Sequence, residues 1–332
     1  MRKTIISSII SIGLTLLSNG CSRQSNKQEV VIYTSVDQVY SSRILRQFEK
    51  ETGIKVKAVF DAEASKAVGL EQRLLTEKNR PKADIFWNSE FMRTARLARQ
   101  GVFEPYAAQT VKYSDTDYFS PEKMWYGLGG RARVFIVNKK KISPEDYPAV
   151  LTDLLAPRFK GNAAISTPFS GSTSTHFAAL YNKFGQEHFV HFLQGIKDNK
   201  VALLAGNSVV KDAVGHGRFA VGLVDTDDAL VGIEQGLPIE MVYYDQDGEG
   251  VFSIFQTVAL VKNAPNRANA KKFIGYLLRE HIERELIKMK AVQFSILTDN
   301  SSEKTPKIWV SRADEIASSL QASTELIRKH LD

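Results

Sequence analysis

The sequence predicts an α/β fold built on parallel sheet, and three observations carry this reading. Strand-like and helical segments alternate from residue 29 to residue 100, which is the signature of a parallel sheet. The candidate strands end in polar turns that carry carboxylates, where open α/β sheets take their ligands. A later apolar run, Phe219 to Val224, opens directly onto Asp225, Thr226, Asp227 and Asp228. Charges of one sign that close repel one another and need a cation or donors nearby. Asp and Thr also favour ordinary turns and helix caps, so the local sequence leaves both readings open.

The elements follow in order. Glu29 to Thr34 is a strand-like run that stops at Ser35, Val36, Asp37 and Gln38. Tyr40 to Glu51 sets Ile44, Leu45 and Phe48 on one helical face, and Thr52-Gly53 ends it. Ile54 to Phe60 alternates as a second strand, with Asp61 and Glu63 in its turn and a helix expected from Ala67 to Glu77. Lys82 to Trp87 is the third strand; Asn88, Ser89 and Glu90 follow it, then a helix to Gln100. Trp125 to Asn138 is a strand entered through Gly129-Gly130 and carrying Arg131 and Arg133. The glycine pair suits a bend between lobes. Residues 166–175 hold seven hydroxyls ahead of a helix. Unpartnered N–H groups at a helix start make that loop an anion cradle, although a plain Ser/Thr cap reads the same way. Asn207-Ser208 opens another helix, and Val251 to Val261 is a strand that recrosses between lobes. Single helices are expected over Lys271 to Lys288 and over Thr305 to Leu331.

Composition bounds the function. The chain has 332 residues, 43% hydrophobic and 24% charged, with a formal charge of +7 that falls to +5 without Arg2 and Lys3. No dense basic block with interleaved aromatics exists, so no nucleic-acid partner is expected. Residues 1–20 read as a signal peptide, with a basic start and an apolar stretch from Ile5 to Leu17. Cys21 is the only cysteine, and its setting resembles the lipobox of bacterial lipoproteins, with Ser18 and Asn19 departing from that pattern. Cys21 is thus the expected lipidation site, and residues 21–28 a polar tether. This places the protein in the periplasm or at the cell surface, anchored to a bacterial membrane.

The motifs Val31-Ile32-Tyr33-Thr34-Ser35, Phe48 to Val56, Lys82 to Trp87 and Gly130 to Val134 resemble the substrate-binding proteins of bacterial ferric-iron ABC transporters. The resemblance runs from about Val30 to the end. It implies a two-lobed periplasmic-binding-protein-like fold of type 2, each lobe a mostly parallel sheet flanked by helices, with the ligand cleft between. The lobes are expected at 29–131 with 251–300, and at 132–250 with 301–332. It also implies a monomer that hands its ligand to an ABC transporter permease. The family's ferric ligands are a His, a Glu and a Tyr-Tyr pair, with a small anion. Their positions fall here at Asp37, at Ser89 with Glu90 one residue on, and at Asp227-Asp228. The anion loop falls at Ser170, Gly171, Ser172 and Thr173, with Asn207 as a further contact and Arg131 as an arginine near the anion. Tyr243-Tyr244 lies too far downstream to be the family's pair and reads as strand packing.

The expected ligand-binding set is therefore Ser35, Asp37, Asn88, Glu90, Arg131, Ser170, Gly171, Ser172, Thr173, Asn207, Asp225, Asp227 and Asp228. Of these, Asp37, Glu90, Asp227 and Asp228 are the candidate metal ligands, since carboxylate oxygens suit hard cations. The cargo they imply is ferric iron or another hard cation with a small anion. A zwitterion such as an amino acid or aminophosphonate, or a polyamine, fits the same groups. Paired carboxylates also serve glycoside hydrolases, but the chain has no nucleophile elbow, no phosphate-binding GxxxxGK[ST] and no HExxH pattern, and no catalysis is expected. The clustered acids facing one another in partial desolvation are expected to raise at least some of their pKa values.

Overall fold

Strand β1 (Glu29–Thr34) lies between β2 (Lys55–Phe60) and β3 (Ile85–Asn88), parallel to both. The computed structural model to which these elements belong describes residues 28–61, 67–108, 113, 116–297 and 306–331. The signal segment 1–20, Cys21 and Glu63 lie outside the described residues. Alternation along β1 sends Val30 and Ile32 into one apolar cluster and Tyr33 into another, so the sheet is covered on both faces. Helix α1 (Gln38–Thr52) supplies Ile44, Leu45 and Phe48 to the first of these clusters. It ends where Gly53 turns left-handed (φ 69°) and its N–H bonds the Glu49 carbonyl at 2.8 Å. Helices α2 (Val68–Thr76) and α3 (Met92–Arg99) complete the pattern.

Strand β4 (Tyr126–Asn138) then runs through both halves of the sheet. The second half adds β5 (Ala163–Ser166), α4 (Gly171–Asp198), β6 (Ala202–Leu204), α5 (Asn207–Gly215), β7 (Val221–Asp225), α6 (Thr226–Glu234) and β8 (Ile239–Val242). Strand β9 (Val251–Leu260) returns to the first half, followed by α7 (Arg267–Leu277), α8 (Glu280–Lys288), β10 (Ile308–Trp309) and α9 (Ala313–Leu331). The first part of β4 pairs antiparallel with β9, and Arg133 to Val137 pair antiparallel with β7. The strand order is β2-β1-β3-β9-β4-β7-β5-β6. Two parallel groups of strands thus share one long crossing strand, and the ends that carry ligand groups meet beside it.

Two expected helices are shorter than the sequence suggests. Lys271 to Lys288 is broken at Arg279, which is extended (ψ 136°), so α7 and α8 bury different faces. Phe273 of α7 packs edge-on against Phe48, at 5.1 Å between centroids. Ile282, Glu283 and Leu286 are the buried residues of α8. Ahead of α9, Ile308-Trp309 is drawn into strand pairing with Val251-Phe252, where Trp309 packs on Phe252 at 4.5 Å. Tertiary packing wins over helical periodicity in both places.

The glycine pair of β4 is a bulge, with a register shift between Leu128 and Gly130. Gly129 is left-handed (φ 51°), and its N–H donates to the buried Glu283 carboxylate at 2.7 Å. The same carboxylate accepts from the Ile296 and Leu297 amides at 3.0 and 3.3 Å and bonds the Ser295 hydroxyl. Gly130 donates to the Phe294 carbonyl at 2.8 Å. A Cβ at Gly130 would lie 2.0 Å from the Phe294 ring. Gly130→Ala is therefore expected to cost about 1–3 kcal/mol by overpacking, read as a lower urea midpoint. An unchanged midpoint would show that the bulge tolerates a side chain.

Candidate functional site

A cavity of about 160 Å³ opens beside β4 where the loops after β1, β3, β5, β6 and β7 converge. Asp37, Ser89, Arg131, Ser166, Ser170, Gly171, Ser172, Asn207, Ser208, Asp225, Asp227 and Asp228 line it, with Ala205 and Gly206. Four of the lining residues stand at helix starts: Asp37, Ser170, Gly206 and Asp225 are the N-caps of α1, α4, α5 and α6. A strand that runs into a helix at its carboxyl end aims the first-turn N–H groups at the cavity. Helix N-termini carry partial positive charge and favour anions and carboxylates there.

Of the two arginines of the crossing strand, Arg131 lines the cavity and Arg133 is buried behind it, bonded to lining residues. Arg133 is fully buried and stands directly across from Asp225 in the β4–β7 register. Its guanidinium donates to Asp225 at 2.7 Å, to the Ser172 hydroxyl at 3.3 Å, to Asn207 Oδ1 at 3.2 Å and to the Leu223 carbonyl at 3.4 Å. Arg131 lies 3.1 Å from Asp227 and 3.5 Å from Asp225, and donates to the Ser89 carbonyl at 2.8 Å. Burial disfavours the Arg131 charge, but Asp227 and Asp225 outweigh it and hold its pKa above the ordinary value.

At Asp225 the two arginines outweigh the expected rise. Burial pushes the Asp225 carboxyl up, yet Arg133 and Arg131 pull it further down, so its pKa ends below the ordinary 3.8. The Glu90 pKa is raised, but burial is the cause. Asp225, Asp227 and Asp228 each still offer a carboxylate oxygen within 4.8 Å of the others. Asp225 is paired with Arg133 and Asp227 with Arg131, and Asp228 and Asp37 line the same cavity.

The structure brings Asp37, Arg131, Ser170, Gly171, Ser172, Asn207, Asp225, Asp227 and Asp228 to one wall or another of this cavity. Ser35, Asn88, Glu90 and Thr173 are not on it. Glu90 is fully buried behind the wall. Its carboxylate accepts from the Met92 and Arg93 amides at 2.7 and 3.1 Å, capping α3, and from the Thr175 hydroxyl of α4 at 2.8 Å. Asn88 donates to the Glu90 carbonyl at 2.6 Å and accepts from the Ser35 hydroxyl. Thr173 is buried one residue past the cradle. Sequence reasoning missed Arg133, Ser166 and Tyr40. The Tyr40 phenol is pushed up to about 12 by burial and then by Asp227, Asp37 and Asp228. It therefore stays protonated at neutral pH, within electrostatic reach of those carboxylates. Arg133 was legible as the second arginine of its strand, but Tyr40 carried no signal beyond its place in the first turn of α1. Tyr244 packs on Phe135 at 5.2 Å, away from the cavity.

Among known proteins, the sequence profile described as bacterial extracellular solute-binding protein matches residues 80–312. Iron uptake protein A1 of Synechocystis is 28% identical over 266 residues, covering 76% of this chain and 72% of that protein. The Fe(3+)-binding periplasmic protein of Serratia marcescens is 25% identical over 286 residues, covering 85% and 82%. Iron-bound HitA of Pseudomonas aeruginosa superimposes with a TM-score of 0.77 at 22% identity, covering 91% of this chain and 98% of that one, a likeness of fold.

Breaking the pair of Arg133 and Asp225 leaves a buried charge without its partner. Arg133→Met is expected to cost about 3–5 kcal/mol, and Arg133→Met with Asp225→Leu to recover most of it. Chemical denaturation checks both, and a single variant as stable as wild type removes Arg133 from this role. Because the folded Asp225 pKa lies below its ordinary 3.8, the unfolded chain binds the proton more readily. The stability it contributes is complete above that value and is lost as pH falls through the folded pKa. The urea midpoint of Asp225→Asn should therefore respond less to acid than that of wild type.

Proposed function

The chain belongs to the bacterial extracellular solute-binding protein family, and from that premise we propose that it is the receptor of an ABC importer for a hard cation. Ferric iron is the first candidate, carried with a small anion. One observation supports this most: oxygen donors from Asp37, Asp227 and Asp228 face one another over helix N-termini and Arg131. The carboxylates suit the cation, and the amides of α4 and α5 suit the anion. At about 160 Å³ the space is below the about 300–1,000 Å³ of ordinary small-molecule pockets, which fits an ion with a few-atom anion better than a polyamine. The protein acts by binding and handing over, without catalysis. Its lobes, hinged where β4 and β9 pass between them, close on the cargo and present it to a membrane permease.

A zwitterionic aminophosphonate is the second reading. It is favoured by the helix starts, which would take the phosphonate while Asp37 and Asp228 take the ammonium. Melting with ferric ion plus bicarbonate, and separately with 2-aminoethylphosphonate, separates the two. Stabilisation by the phosphonate alone would overturn the iron reading.

Each charge-assisted contact contributes about 1.5–3 kcal/mol. Asp227→Asn with Asp228→Asn is therefore expected to weaken ferric binding by roughly two orders of magnitude or more. Binding should also weaken as pH falls, because carboxylate ligands must be deprotonated. Titration calorimetry against a competing chelator reads both, and an equally tight double variant would show that these aspartates only start a helix. The lipid anchor is tested apart: Cys21→Ala should release the protein into the soluble fraction of its host, and unchanged membrane association counts against lipidation.

A further inference from the structure

A second cavity, of about 690 Å³, lies in the second lobe and shares no lining residue with the acidic one. Helix α4 forms one wall on both sides of Gly185, where the backbone leaves helical geometry (φ 77°, ψ 171°). The segments around Leu151 and after Tyr244, with Trp309 of β10, form the rest. Leu151, Leu180, Phe189, Phe192 and Trp309 make the lining apolar. The volume falls within the about 300–1,000 Å³ of small-molecule sites, which pair such walls with a few convergent polar groups.

Two polar groups face this space from buried positions. The His176 ring is fully buried and stacked on Phe252 at 5.3 Å, and neither ring nitrogen has a hydrogen-bond partner among the described residues. The buried Tyr244 hydroxyl oxygen lies close to the Phe252 amide, but its O–H finds no acceptor among the described residues. Burial, helped by the Arg133 charge, keeps His176 neutral, and burial keeps the Tyr244 phenol protonated. A neutral imidazole carries one N–H whichever nitrogen holds it, and the phenol carries one O–H. A buried donor without an acceptor is costly, so two of them lining one apolar cavity specify what would complete it.

We propose that this cavity is a second ligand site, for a small, largely apolar molecule that ends in a single oxygen acceptor, such as an aromatic ketone. The acceptor takes hydrogen bonds from His176 and Tyr244, and the hydrocarbon part lies among Leu180, Phe189 and Phe192. Phe184, 52% exposed, stands at the mouth. The site backs onto the cargo cavity through α4, whose first residues line one and whose later turns line the other. It does not depend on which cargo the acidic cavity carries.

Ligand-observed NMR on the whole mature protein, without cargo, tests this with acetophenone and its headless analogue ethylbenzene. Wild type should bind acetophenone about tenfold more tightly, the size of one or two net hydrogen bonds. His176→Phe with Tyr244→Phe keeps the ring shapes, and should erase that preference while ethylbenzene still binds. Leu180→Trp, which narrows the cavity where the hydrocarbon part would lie, should weaken binding of both. The proposal is overturned if wild type binds neither compound or binds them equally, or if the preference survives in the double phenylalanine variant.

Discussion

The buried pair between Arg133 and Asp225 holds the crossing strand to the second half of the sheet beside the cavity. The two residues are direct cross-strand partners, 2.7 Å apart. Desolvating two charges is expensive and is repaid only when geometry and further hydrogen bonds are good. Here Ser172 and Asn207 share with Asp225 one terminal nitrogen of the guanidinium, and the Leu223 carbonyl accepts from the other. The pair thereby ties β4 and β7 to the starts of α4 and α5. The anion-favouring loops and the acidic loop are placed by one arginine.

Acids and helix starts support one another in this arrangement. Asp227 and Asp228 lie in the first turn of α6, where the helix dipole favours negative charge. Arg131 reaches Asp227 from below, while its other nitrogen holds the Ser89 carbonyl of the first half. Negative charge at this wall of the cavity is thus already partly balanced by Arg131 and by the start of α6.

The two halves are also joined behind the cavity. Thr175 of α4 bonds Glu90, and Arg93 of α3, paired with Glu71 at 2.6 Å, reaches the Phe169 carbonyl and the Ser174 hydroxyl at 3.4 Å. Glu90 is thus a joint between α3 and α4. These contacts fix how α3 and α4 sit against each other.

What the sequence by itself determined was local. Strand-like runs mark β1 and β3, a period-two run marks β2, an apolar face marks α1, and Gly53 marks a helix end, because these follow from the backbone and from nearest neighbours. It also exposed the aspartates after β7, the hydroxyl cradle and Arg131, all of which reach the cavity. Tertiary structure alone decided which carboxylates line the cavity and what each one bonds. Glu90, placed by its turn, is consumed as a cap and an inter-lobe contact, and Asp225 is consumed by an arginine 92 residues away. It likewise broke the helix at Arg279 and pulled Trp309 into a strand. Whether a buried carboxylate binds a ligand or another part of its own chain depends on which donors the fold brings within 3 Å. That is a property of pairings between distant segments, and no local pattern encodes it.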